Sequence, residues 1–275
     1  NTTGAYGVGI GYDALTANTT ASDNTALGAS ALSANTTGAS NTAVGRSCLQ
    51  STTTGERNTA MGMQALLTNT TGERNTAMGY YSLNLNTTGA RNTALGYYAL
   101  KDMTTGADNT FIGTYVGQSN TSGTKNTAVG VDTFKGVATG EKNVAVGYQA
   151  LNTVTSGYEN VAIGSQTLVA NTDGYFNIAI GSEALEANIG GDVNIAIGKW
   201  AMTSNTTGEY NVAIGYNALK NNTTNSNNIA IGREALLTNT GAGAGNVAIG
   251  YNAMQDMSTG TENVAIGYEA ASDLT

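Results

Sequence analysis

Apolar residues return along this chain in one fixed phrase, not with the 3.6-residue period of a helix. From 211 to 250, "NVAIGYNALKNNTTNSNNIAIGREALLTNTGAGAGNVAIG" writes Asn, Val or Ile, Ala, Ile, Gly three times, at intervals of seventeen and eighteen residues. Aligned on the Gly, sixteen copies run from Gly11 to Gly267, all seventeen apart except the step from Gly232 to Gly250. The extra residue falls in "NTGAGAG" (239 to 245), a small-residue loop able to absorb it. A phrase repeated at fixed spacing signals one structural unit copied along an axis.

With the Asn as position 1, the unit reads Asn, Thr or Val/Ile, Ala, aliphatic, Gly, then Ala-Leu at 8 and 9, and often Asn-Thr-Thr-Gly at 12 to 15. Positions 1 to 4 suit a short strand, with β-branched residues at 2 and 4 on one face and Ala at 3 on the other. The Gly at 5 ends the strand and permits close backbone approach. Ala-Leu suggests a second short strand or extended leg, whose Leu (Leu32, Leu66, Leu100, Leu151, Leu219) points back toward the aliphatic at 4. Asn-Thr-Thr-Gly reads as the turn into the next copy. Gly and Asn/Thr clusters cut each unit twice, so no stretch has the length of a helix.

The predicted fold is therefore all-β: a parallel β-solenoid, or β-roll, of about sixteen seventeen-residue coils stacked about 4.8 Å apart, a rod of roughly 75 Å. Residues 1–275 read as one continuous repeat domain, a segment of a longer fibre. Equivalent residues should form ladders, among them Asn143, Asn160, Asn177, Asn194 and Asn211, and Gly147, Gly164, Gly181, Gly198 and Gly215. The Asn ladder can chain amide hydrogen bonds from coil to coil; alternatively each Asn simply tolerates a tight turn. Position 2 changes from Thr (Thr25 to Thr127) to Val or Ile (Val144 onward), which predicts a drier face toward the C-terminus. The thin coil is expected to enclose the aliphatic at 4 and Leu at 9, leaving Ala and Gly as a smooth outer face that favours another chain.

Composition narrows the chemistry. A disordered chain would not hold 40% hydrophobic residues at fixed positions. The net charge of -8 provides no basic field for nucleic acid. With no His, the Ser-His-Asp and Cys-His triads and His-ligated metal sites are excluded, and the single Cys48 cannot form an internal disulfide. Glu183, Glu234 and Glu269 share position 7 but lie two or three coils apart, beyond the carboxylate spacing of glycosidases. No enzyme activity and no cofactor are expected. No apolar run is long enough to span a membrane, so no membrane insertion is expected in this segment.

The phrases "NVAIG" at 160, 211, 246 and 263, "NVAVG" at 143, and "NIAIG" at 177, 194 and 228 resemble the head repeats of the trimeric autotransporter adhesins, and similar repeats occur in tail-fibre-like proteins of phages. The resemblance covers essentially the whole chain. It implies a left-handed β-roll, three chains side by side about a threefold axis, and an extracellular place on a cell-surface or virion fibre. The adhesin repeat is typically shorter, and no stalk, neck or anchor pattern is present.

Three functions are weighed on the residues. The first is a stiff structural segment of a fibre or filament, with copies of itself as partners in a homotrimer or an end-to-end filament. The second is an adhesin for surface glycans or a receptor, using tyrosines just after the Gly: Tyr80, Tyr97, Tyr148, Tyr216 and Tyr251. Such a stripe can equally pack on a neighbouring loop or chain. The third is ice binding through the position-2 Thr ladder. Candidate N-glycosylation sites are Asn18, Asn35, Asn69, Asn86, Asn120, Asn205 and Asn222, unless Asn-Thr-Thr-Gly is turn chemistry that happens to match the acceptor pattern.

Overall fold

The structure, a computed structural model, describes residues 4–136, 139–241 and 243–273. The chain forms two compact units, residues 1–139 and 140–275. Each is a parallel β-solenoid with one three-residue strand per coil. The first holds β1 (Val8–Ile10) to β8 (Thr127–Val129), and the second β9 (Val144–Val146) to β16 (Val264–Ile266). Within each unit successive strands pair in parallel at identical repeat positions, as in Thr59↔Thr76 and Ile178↔Ile195. The eighteen-residue step keeps this register, with Ile229 opposite Val247.

The Ala-Leu segment is not a second strand. Residues 5 to 11 of the unit form turns, in which the Ala31 N–H donates to Gly28 O at 3.3 Å and the Asn35 N–H to Leu32 O at 3.2 Å. Leu at position 9 adopts left-handed backbone angles, φ 49° at Leu32 and Leu100. That conformation costs a non-glycine residue about 1 kcal/mol and precludes an extended leg. Burial of the Leu side chain, worth about 1.5–3 kcal/mol, offsets it. The turns nevertheless bond to the next coil, as with Leu32 N–H to Cys48 O at 3.1 Å and Thr36 N–H to Thr53 O at 3.0 Å. Hydrogen bonding between coils therefore runs around the perimeter and is not confined to the sheet.

Leu at position 9 is enclosed as expected, but the strand turns its other face to the interior. Ala at position 3 points inward with Ala at 8 and Leu at 9; Ala60, Ala65 and Leu66 are all fully buried. The aliphatics at 2 and 4 face outward, leaving Ile163 38% and Ile180 37% exposed. Strand alternation places 2 and 4 on one face and 3 on the other. The coil is so thin that the inward face accepts the smallest side chain opposite Leu, so the smooth Ala surface lines the core.

One coil tests this rule. Phe111 replaces the Ala of position 3 and is fully buried, while Gly117 replaces the Leu of position 9. A Cβ on Gly117 would run into the Phe111 ring and Leu100. Phe111 also packs edge-on against Phe134 of the next coil, with ring centroids 5.5 Å apart. A large residue entering from the strand thus displaces the one normally supplied by the turn. Phe111→Ala alone should cost about 3–5 kcal/mol in denaturant unfolding. Phe111→Ala with Gly117→Leu, which restores the common pattern, should recover most of that; failure to recover would mean that the two positions do not share one space.

Candidate functional site: buried amide ladders and outward surfaces

Two ladders of buried asparagines tie the coils together. At position 1, Asn143, Asn160, Asn177, Asn194 and Asn211 are fully buried. Asn160 donates its backbone N–H (2.9 Å) and its Nδ2 (3.1 Å) to Asn143 Oδ1, and Asn177, Asn194 and Asn211 repeat the pattern at 3.0 and 3.2 Å. The second Nδ2 proton of Asn160 goes to Gly174 O at 2.8 Å, at the end of its own coil. An amide side chain has two donors and two acceptor sites, and in Asn160 all four are used. The position-5 glycines stand just beyond. At Gly147, Gly164, Gly181, Gly198 and Gly215, with φ between 130° and 139°, a Cβ would strike the carbonyl of the equivalent Gly in the next coil.

The second ladder is at position 12. Asn188, Asn205 and Asn222 each donate Nδ2 to the Oδ1 of the preceding Asn, at 3.0, 2.8 and 3.0 Å. They also donate to the carbonyl three residues on, at 3.0, 3.1 and 3.0 Å. Gly174 O, Gly191 O and Gly208 O each accept from both ladders, so one carbonyl clasps the two ends of a coil.

Of the two readings of Asn-Thr-Thr-Gly, this geometry favours turn chemistry over glycosylation. Asn18, Asn35, Asn69, Asn86, Asn120, Asn205 and Asn222 are all buried. Asn18 Nδ2 donates to Ala21 O at 3.0 Å, Asn35, Asn69 and Asn86 donate to the Gly three residues on, and Asn120 Oδ1 accepts the Gly123 N–H at 2.9 Å. A sugar on Nδ2 would have to occupy the coil interior. The turn folds its Asn inward because the side chain reaches the carbonyl three residues ahead.

The outward surfaces carry the remaining candidates. Tyrosines at equivalent positions stack across coils: Tyr80 on Tyr97 at 5.4 Å and 8°, Tyr251 on Tyr268 at 5.1 Å and 10°. Tyr81, Tyr98 and Tyr115 continue the first cluster one position further on. Tyr216 packs on Trp200 (5.5 Å) and lies beneath Arg233, whereas Tyr148 is 50% exposed and has no ring partner among the described residues. The pairs Tyr158 on Tyr175, at 4.9 Å and 5°, and Tyr98 on Tyr115 escaped the sequence reading. Their separation of seventeen residues was the available signal. Arg91 with Asp108 (2.9 Å) and Lys142 with Glu159 (2.6 Å) are ion pairs between coils, also seventeen apart. Being exposed, they add little stability.

Burial pushes the Cys48 thiol up to about 12, which keeps it protonated and unreactive. Among the described residues no three His, Cys, Asp or Glu side chains converge, and no helix is long and apolar enough to cross a membrane. No protein-family model matches the chain, and no curated protein matches it.

The ladders break where position 12 is not Asn. Thr52 stands between Asn35 and Asn69, and Thr52 Oγ1 and Asn35 Oδ1 are both buried without a partner. Met103 likewise follows the unpartnered Asn86 Oδ1. Thr52→Asn should stabilise the fold by about 1–2 kcal/mol by completing the ladder, and Asn188→Thr should destabilise it by about 1–3 kcal/mol, both read from thermal unfolding. A second prediction concerns Tyr97. Desolvation among its neighbours, followed by the hydrogen bond with Tyr98, pushes its phenol from 10 up to about 12. The unfolded chain ionises first, so the cluster's contribution to stability is present below pH 10 and falls as pH rises through 12. Ultraviolet titration should show late-ionising phenols, and the late fraction should shrink in Tyr97→Phe.

Proposed function

We propose that this chain is a stiff structural segment of an extracellular fibre or filament, on a cell surface or a virion, in which three copies lie side by side. The observation that carries the proposal is the outward strand face. Most coils complete the core with Ala and Leu, yet the aliphatics at position 4, and in the second unit those at position 2, remain on the outer face. In the second unit Ile163, Ile178, Ile180, Ile214 and Ile266 are all more than a third exposed. Positions 2 and 4 carry no charged residue in any copy. A continuous apolar face of this kind marks an association surface, and its period matches that of a second identical chain. This replaces the Ala/Gly face as the contact surface, because the Ala of position 3 lies inside. Stiffness follows from hydrogen bonds around the full coil perimeter and from amide ladders that tolerate little slip. The left-handed, threefold arrangement is carried over from the adhesin-head resemblance.

A second reading, a glycan- or receptor-binding surface, is favoured by one feature. Lys199 and Lys220 approach the Trp200 ring at 4.0 and 5.0 Å, a cationic aromatic island on an acidic chain. The stacked tyrosines favour it less, because Tyr80 and Tyr97 cover each other's faces.

Light scattering of the purified chain should give three chain masses. Ile180→Lys with Ile214→Lys should reduce this to one mass while the β-sheet circular dichroism is retained. A single mass for the unaltered chain would overturn the trimer. Retention of the trimer in the double variant would move the contact away from the strand face. Loss of glycan-array binding in Trp200→Ala would be the mark of the second reading.

A further inference from the structure

We propose that the stacked tyrosine pairs are sites of oxidative phenol coupling, which staples one coil covalently to the next within a chain. Two pairs carry the argument most cleanly. Tyr158 lies on Tyr175 with centroids 4.9 Å apart and planes 5° from parallel, and Tyr251 lies on Tyr268 at 5.1 Å and 10°. Each pair joins equivalent positions of neighbouring coils, seventeen residues apart, so the spacing is set by the strand register and held by the asparagine ladders. The rings are open to a reagent: Tyr158 is 38% exposed and Tyr268 74%. The third ring packed on Tyr158 and Tyr175 is Phe176, which has no phenol and cannot compete. In the larger cluster, Tyr80 on Tyr97 and Tyr98 on Tyr115 repeat the geometry at 5.4 and 5.7 Å, both 8° from parallel.

The chemistry requires an external oxidant, and hydrogen peroxide with a haem peroxidase is the class that fits exposed phenols. Each of the two phenols gives up one electron and one proton, leaving two phenoxyl radicals. Their ortho carbons join in one new C–C bond, and the hydrogen on each of those carbons moves to its own oxygen as the rings regain aromaticity. The peroxide takes up the two electrons and two protons and leaves as two waters. Phenoxyl radicals couple with whichever phenol radical they meet, and a ring held in contact is met far more often than one on another molecule at low concentration. The chain has no disulfide to serve this purpose, since its single cysteine is buried. A link closing a seventeen-residue loop restricts the unfolded chain as a disulfide would.

The test uses the whole chain at low concentration with peroxidase and limiting peroxide, mixing isotopically light and heavy copies. Peptide mass mapping should find Tyr158 joined to Tyr175 and Tyr251 joined to Tyr268, each with a loss of two hydrogens. The linked peptides should be all light or all heavy, and thermal unfolding should shift upward. Tyr175→Phe, which keeps the stacked ring, should abolish the first link and leave the second. Tyr12 and Tyr148, at 79% and 50% exposure and with no ring beside them among the described residues, should stay unlinked. Links that follow exposure and favour Tyr12 or Tyr148, links that join light to heavy chains at these pairs, or no links at all would each overturn the proposal.

Discussion

A buried amide is least costly where its donors and acceptors are all matched, and for the position-1 asparagines of this protein the match is the equivalent asparagine one coil away. Asn160 accepts from Asn177 and donates to Asn143, while its remaining proton closes its own coil on Gly174 O. Leaving such a group unpaired in the interior costs about 1–3 kcal/mol. A slip of one residue between coils would unpair the whole column at once. Register is therefore enforced repeatedly along each unit. The glycines at position 5 follow from the same constraint, because coils close enough for amide contact leave no room for a Cβ where Gly164 faces Gly181.

Close stacking also dictates the core. A coil with a single three-residue strand encloses little volume, which Ala60, Ala65 and Leu66 fill. Positioning Leu over that space requires a left-handed residue in nearly every turn, a local strain repeated down the chain and offset by burial. The exchange of Phe111 and Gly117 shows that the available space is conserved even where the residues are not. With the interior complete, the aliphatics at 2 and 4 are left on the outer face of the strand. The apolar outer face is thus a consequence of how thin the coil is.

Much of this was legible in the sequence, and the failures share a cause. The seventeen-residue period, a short strand within positions 1 to 4 and the role of the glycines could be read from Gly28 to Gly267, since repetition exposes any position that cannot vary. The side on which the strand buries its residues could not. Hydrophobicity assigned Ile180 to the core and Ala179 to the surface, and only the coil's small cross-section reverses that order. The Asn-Thr-Thr-Gly segment could be read as a turn, but the inward course of its Asn could not, for a related reason. Asn205 looks like a surface acceptor until its amide is seen to reach Gly208 O within the coil. The stacked pair Tyr158 and Tyr175 was visible as a seventeen-residue spacing, but it lies outside the repeated phrase on which the reading was aligned.

The measurement that bears most directly on this account is hydrogen exchange at the side-chain amides of the position-1 asparagines, followed by NMR on uniformly labelled protein. The ladder predicts that the Nδ2 protons of Asn160, Asn177 and Asn194 exchange as slowly as the backbone amides of the strands beside them. Exchange at the rate of a free asparagine side chain, while the strand amides stay protected, would show that the coils are held together without the ladder.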